Sequence, residues 1–495
     1  MKRFLEIQEE MINVRDAMGV LNWDMATTMP EKGVERRSEV MQYLSQIIYN
    51  IETSEEYSTL VKELYETLDE RSDEEKAMIK MAKKSLDFME KVPEKEYLEY
   101  SKLVASGETY WAKARENNDY ESFKPILEKI VAFNKKMADY IGYEGTPYDA
   151  LLDLYEPGAT VEKIDSVFKE LRDGIIELLD KINHSDVVID DEILKGQYDI
   201  APQKEYSMGL AKRLGYDFER GAIAESAHPF STNFGNNDVR ITTAYSSEDP
   251  VTAMYSTIHE TGHAIYEQNI PDAISKTNIG GGVSMGIHES QSRYYENILG
   301  RSEEFIEFEY PNMVKAFEGL KEYSKEDIFK AINKVSPSLI RIDADELTYS
   351  LHIIIRYELE KMLINGEVDF DKLPEIWADK YEEYLGVRPD TFSNGVLQDV
   401  HWSGGMIGYF PSYALGNLYG AQMLYLGIMK DLPHYEEIIK AGRISEITAW
   451  LAENVHKYGA TYEPSVLIEK ITGEALDAKY FLRYLNEKYT KLYNL

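Results

Sequence analysis

The chain has no cysteine among its 495 residues, which excludes disulfide staples, thiol nucleophiles and Cys₄ zinc sites. No stretch approaches the roughly 18 apolar residues that a membrane-spanning helix requires. The start, Met1-Lys2-Arg3-Phe4-Leu5, is basic, but Glu6, Glu9 and Glu10 follow at once without an apolar core. That is not the pattern of a signal peptide, and a cytoplasmic protein is expected. Positive charge is scarce: 54 Lys and Arg against 88 Asp and Glu leave a formal charge of −34. Phosphate binding needs clustered positive charge, so nucleic acid is excluded as a partner. Ser/Pro/Gly linkers, repeats and low-complexity runs are missing too. Length alone admits two or three domains, yet the motifs below draw on segments far apart in sequence, so one body spanning 1–495 is expected.

Histidine is also scarce, with 9 in the chain, and two of them stand in His259-Glu260-Thr261-Gly262-His263, an H-E-x-x-H pattern. On a helix, side chains four apart lie one above the other, so both imidazoles can face one metal ion. Glu260 projects about 100° round the helix, beside the metal rather than on it, where a general base belongs. The flanks support a helix. Ser246 and Ser247 offer caps, Glu248 and Asp249 put negative charge in the first turn, and Pro250 is tolerated there. Val251, Met254, Ile258, Gly262 and Ile265 recur at helical spacing, and Pro271 lies past the end. The alternative, two unrelated histidines on a solvated helix, is disfavoured by their rarity.

A catalytic zinc needs a third protein ligand and an open position. Glu289 is the candidate, in a second helix that follows Gly280-Gly281-Gly282, with Ser284 as cap and Gly300 as stop. His288 competes, but adjacent helical residues point apart, so only one of the two reaches the metal. The bland reading of Glu289 is an ion pair with Arg293, four residues on.

These residues resemble the M32 metallocarboxypeptidases, the carboxypeptidase Taq family. Besides H-E-x-x-H, the chain carries His228-Pro229-Phe230 like the family's HPF and Asp238-Val239-Arg240-Ile241-Thr242 like its DXRXT. His288-Glu289-Ser290-Gln291 is similar to its HES/GQ element, Ile340 to Asp345 to IRXXAD, and Gly395 to Trp402 to GXXQDXHW. The resemblance extends to Asn22-Trp23-Asp24, Pro147 to Asp153 and Tyr155-Glu156-Pro157-Gly158, and so covers nearly the whole chain. It implies Glu289 as third zinc ligand and an all-α fold with a deep groove, the first 130 or so residues forming a helical lid. It also implies a homodimer, peptide substrates with a free C-terminus, and one Zn²⁺ per chain, with Co²⁺ able to substitute. Periodicity adds a small strand, 238–245, beside the metal helix, read here as an edge that could pair with peptide backbone. Helical patterns cover 331–339, up to a Ser-Pro-Ser break, and 346–365 before Gly366.

A carboxypeptidase must hold a terminal carboxylate against the acidic field of this chain, and Arg does so with a planar, permanently charged fork. Arg240 and Arg341 are the candidates, with Asp238 and His228 completing the substrate-binding set. His228 serves as wall, because a His-Pro pair suits a fixed, extended loop. The competing reading pairs Arg240 with Asp238, and Arg341 with Asp343 or Asp345. His401 and Tyr409 are the candidate donors to the oxyanion, Tyr413 a weaker one; the glycines between 404 and 408 let backbone approach a ligand. His184, His352, His434 and His456 read as structural. The expected chemistry is water activation: zinc acidifies the attacking water, and Glu260 takes its proton and passes it to the leaving amine. An oligopeptidase cutting internal bonds would use the same residues, and a non-catalytic zinc-containing peptide-binding scaffold is the rival of another class. A scaffold has no reason to keep Glu260.

Overall fold

Six helices open the chain: Lys2–Thr27, Val34–Glu52, Glu55–Glu66, Asp73–Lys91, Glu94–Glu116 and Tyr120–Ile141. The computed structural model describes all residues, 1–495. Side-chain caps at Ser54, Ser72 and Asp119 accept first-turn N–H groups that have no helical partner. Their apolar faces are used unequally. Val34–Glu52 buries no residue, whereas Tyr120–Ile141 buries Phe123, Leu127, Ile130 and Val131. Val34–Glu52 therefore sits at the rim, and the sixth helix belongs to the core. One cluster of 106 buried apolar residues runs from Phe4 to Tyr493, so both ends of the chain share it. No helix is long and apolar enough to cross a membrane.

Three short strands interrupt the helices: β1 (Ile223–Glu225), β2 (Ser231–Asn233) and β3 (Val239–Thr243). Val239 and Ile241 alternate into a small apolar cluster with Ala211, Tyr216 and Ala264, as the pattern predicts. The expectation that this strand is an edge is wrong. β3 is central, parallel to β1 and antiparallel to β2. Its N–H groups are spent inside the sheet, Ile241 N on Ala222 O at 2.9 Å and Thr242 N on Phe230 O at 2.8 Å, so β3 cannot add a peptide strand.

The H-E-x-x-H helix spans Val251–Gln268, and the glutamate helix spans Met285–Arg293 and continues through a π-turn, Tyr294–Leu299. Ser284 caps the glutamate helix as expected, accepting from Ile287 N at 3.0 Å. Ahead of the first helix the caps act in relay. Ser246 Oγ accepts from Glu248 N and Asp249 N, and Asp249 Oδ1 accepts from Thr252 N at 2.8 Å. Helix Tyr349–Asn365 stops at Gly366, where φ is +74°. Of the 331–339 segment only Ala331 and Ile332 are helical. Helix Lys325–Ile332 ends at its Asn333 cap, because the residue before Pro337 is barred from the helical region and Ser336 N turns to Asp345 Oδ2 instead.

Candidate metal centre and substrate site

The glutamate helix folds back across the H-E-x-x-H helix and brings Glu289 against both histidines. Glu289 Oε2 stands 3.7 Å from His259 Nε2 and 3.4 Å from His263 Nε2. The three ligand atoms lie within 4.8 Å of one another, close enough to share one ion. Two imidazoles and a carboxylate match the donor chemistry of an open catalytic zinc site, so the residues present fit the metal. Glu289 also keeps its bland role, since Oε1 accepts from Arg293 Nε at 2.7 Å. His288 does not join the set; it bonds to the far nitrogen of His263.

Burial governs the electrostatics. It pushes the Glu260 carboxyl up to about 7 even with His259 beside it, and it pushes His263 down to about 3. Burial would lower His259 as well, but Glu289 and Glu296 hold it up at about 9. Glu289 is buried too, yet Arg293 and His259 keep it well below the usual carboxylate range. Around the histidines Glu289 and Glu296 are thus held ionised, while Glu260 titrates near neutral pH.

The helices meet this closely because two positions lack side chains. A Cβ on Gly262 would stand 2.7 Å from Ser292 Cα and 2.8 Å from Gln291 O, and one on Gly416 would stand 2.6 Å from Glu289 Cγ. Gly262→Ala is therefore expected to push the glutamate helix away, costing about 1–3 kcal/mol of stability. It should also weaken metal binding, because Glu289 moves with that helix. Calorimetric unfolding and metal titration of the variant check both effects.

Across from the metal cluster, Arg341 is buried and lends Nε to Asp399 Oδ1 at 2.9 Å and Nη1 to the Tyr349 hydroxyl at 3.2 Å. Neither Asp343 nor Asp345 is its partner, contrary to the competing reading. Asp399 shares its other oxygen with Arg356, whose Nε lies 2.7 Å from Oδ2 and which is wholly buried. Arg240, by contrast, places Nε and Nη2 each 2.7 Å from the two oxygens of Asp238 and lies over the rings of Phe234 and Trp23. His401 is buried, with Nε2 3.1 Å from the Tyr413 hydroxyl and Nδ1 without a partner. Burial, and then Arg341, lower it to about 4, so it is a neutral imidazole. Tyr409 packs against His401 and Tyr413 at ring-centre distances of 5.6 and 5.3 Å. Burial and the nearby Glu289 raise its hydroxyl above the usual range. His228 is exposed, and it is its carbonyl, accepting from Ser226 Oγ, that is bonded.

Similarity to known proteins decides the family. The profile described as carboxypeptidase Taq (M32) metallopeptidase matches residues 3–489. The chain belongs to the M32 family. It is 44% identical to carboxypeptidase 1 of Bacillus subtilis over 495 residues, covering 100% of this chain and 99% of that one. It is 38% identical to thermostable carboxypeptidase 1 of Pyrococcus furiosus, covering 96% and 95%. Among solved structures, the M32 carboxypeptidase of Deinococcus radiodurans R1 superposes with a TM-score of 0.96 at 35% identity, covering 100% and 99%. As a member of this M32 family the chain is a metallocarboxypeptidase, a hydrolase, in a mainly helical fold with a small sheet. These relatives favour neither the oligopeptidase nor the scaffold.

The motifs that lie outside the centre make contacts that hold it together. Tyr148 donates to Glu360, which also accepts from Trp402 Nε1 at 2.8 Å and Gly408 N at 2.9 Å, so it holds the His401–Tyr409 loop. Glu156 accepts from Gly286 N at 3.0 Å and the Tyr419 hydroxyl at 2.8 Å, at the start of the glutamate helix. Sequence reasoning did not find Arg356, Glu360 or Tyr349; Tyr413, its weaker donor candidate, has its hydroxyl 3.1 Å from His401 Nε2. Arg356 and Glu360 are four apart on one helix, a spacing that could have flagged them.

Proposed function

We propose that His259, His263 and Glu289 hold one Zn²⁺ ion and that Glu260 is the general base in the release of single amino acids from peptide C-termini. The observation that carries this reading is the meeting of all three ligand atoms at one point with a near-neutral carboxylate beside them. A divalent ion there supplies Lewis acidity, polarising the scissile carbonyl and acidifying water. Glu260, with its pKa drawn towards 7, can take a proton from the attacking water and return it to the amine that leaves. His401 and Tyr409, supported by Tyr413, offer neutral donors to the oxyanion.

Charge balance selects the carboxylate-binding arginine. Arg341 and Arg356 share one carboxylate, Asp399, and Glu360, drawn up to about 7 by burial, offsets only part of the second arginine. The pocket therefore carries a positive charge in excess, and a buried excess charge calls for a counterion. Arg240 is already neutralised by Asp238 through both arms of its fork. Arg341 is thus assigned the terminal carboxylate, and Arg240, Asp238 and His228 line the approach.

The reading includes a single domain, 1–495, with the N-terminal helices as its lid. Supporting this, Trp23 packs on Phe230 at 5.7 Å between ring centres, while Trp111 Nε1 donates to Leu397 O at 2.9 Å on the other side. It also includes a homodimer, supported by the family resemblance. A blocked peptide with a free C-terminus, run beside its amidated twin with and without chelator, tests the activity. Stepwise release from the free acid alone, lost on chelation and restored by zinc, is expected; equal cleavage of both peptides would overturn the reading.

A further inference from the structure

The unabsorbed residue of the site is His288. It stands next to a metal ligand in sequence, and its ring lies beside the metal histidines, yet it points away from the ion position. Its Nδ1 is 2.5 Å from His263 Nδ1, and its Nε2 is 2.8 Å from Glu267 Oε1. Glu267 lies four residues after His263, so it rises from the same face of the same helix. Its remaining capacity is used as well: Oε1 accepts from Gly282 N at 3.0 Å, and Oε2 accepts from Asn233 Nδ2 at 2.7 Å. Asn233 ends strand β2. A polar chain thus runs from the sheet through Glu267 and His288 to His263.

Proton counting gives this chain a direction. With the Glu267 carboxylate accepting from its Nε2, His288 presents Nδ1 as the acceptor towards His263. His263 must then donate from its own Nδ1. That fixes the His263 tautomer with a bare lone pair on Nε2, the nitrogen that faces Glu289 Oε2. His259 is oriented by a shorter route, with Nδ1 2.7 Å from Glu296 Oε2. The site is packed to keep the relay in place. A Cβ on Gly282 would stand 2.5 Å from His288 Cδ2, and the Tyr266 ring lies 5.2 Å from the His288 ring.

We infer that Glu267 and His288 are positioning residues for the metal centre, acting as one relay that sets the tautomer and aim of His263, with Asn233 tying the relay to the sheet. The inference rests on the reading of His259, His263 and Glu289 as ligands. Outer partners of this kind contribute about 10–100-fold to metal affinity.

The test is zinc affinity of the full-length protein, measured by competition with a chromogenic chelator, beside the melting temperature of each metal-free variant. Glu267→Met and His288→Phe are each expected to weaken zinc binding about 10–100-fold. The double variant should be no weaker than either single one, because both cut the same chain. Glu267→Gln keeps an oxygen acceptor and should retain affinity within a few-fold. If Glu267→Met fails to fold, Asn233→Ala takes its place, with a several-fold loss expected. Affinity unchanged in the single variants, or losses that simply add in the double, would overturn the relay. His259→Ala separates the two levels: it should abolish binding, and if it does not, the ligand set itself is wrong and the relay falls with it.

Discussion

Glu260→Gln is expected to lower kcat by about 10²–10⁴ while the protein still binds one metal ion, because the change removes a proton acceptor and leaves every ligand in place. Glu260 is 6% exposed and makes no ion pair, so the variant exchanges a buried carboxyl for an isosteric amide with little effect on packing. Its role depends on burial, which brings its pKa near the working range of a general base. A carboxylate left at its ordinary value would hold a proton too weakly to return it to an amine efficiently. Single-turnover kinetics and metal stoichiometry on the same sample give the result. Robust turnover by Glu260→Gln would move the base elsewhere; loss of metal would mean that Glu260 is a ligand.

The metal centre was legible because its geometry is local. H-E-x-x-H needs only a helix, and the helix announced itself by period and flanking caps. Helical directions let only one of Glu289 and His288 reach the ion, the family resemblance named Glu289, and it is the Glu289 carboxylate that faces both histidines. What was not legible depends on distant contacts. Whether β3 is an edge or central is set by β1 and β2, each three residues long and too short for a period to show. Arg341 turned out to pair with Asp399, 58 residues away, rather than with its near neighbours Asp343 and Asp345. Local spacing favoured those near acids, but Asp345 is committed to the Thr348 N–H and hydroxyl. Arg356 read as one more polar position on a largely buried helix, and only the fold reveals that it shares a counterion with Arg341. Arg240 went the other way: its nearest acid, Asp238, was its true partner.

That contrast between the two arginines yields the second large effect. Arg341→Met is expected to lower kcat/KM for free-acid peptides by roughly 10²–10⁴, following the about 3–5 kcal/mol that removal of one member of a buried ion pair costs. In the variant Asp399 retains Arg356 alone, so the pocket becomes neutral and the incoming carboxylate has no excess charge to meet. The preference for a free acid over its amide should therefore collapse, with slow cleavage of the amidated peptide changing little. Arg240→Met should cost much less, because that fork already serves Asp238 with both arms. Its loss should appear in KM more than in kcat, as expected for a group lining the approach. Paired kinetics on free and amidated peptides for both variants decide the matter. If Arg240→Met abolishes the free-acid preference and Arg341→Met preserves it, Asp238 must release Arg240 when substrate binds, and the Arg341–Asp399–Arg356 cluster serves only to hold the His401 loop.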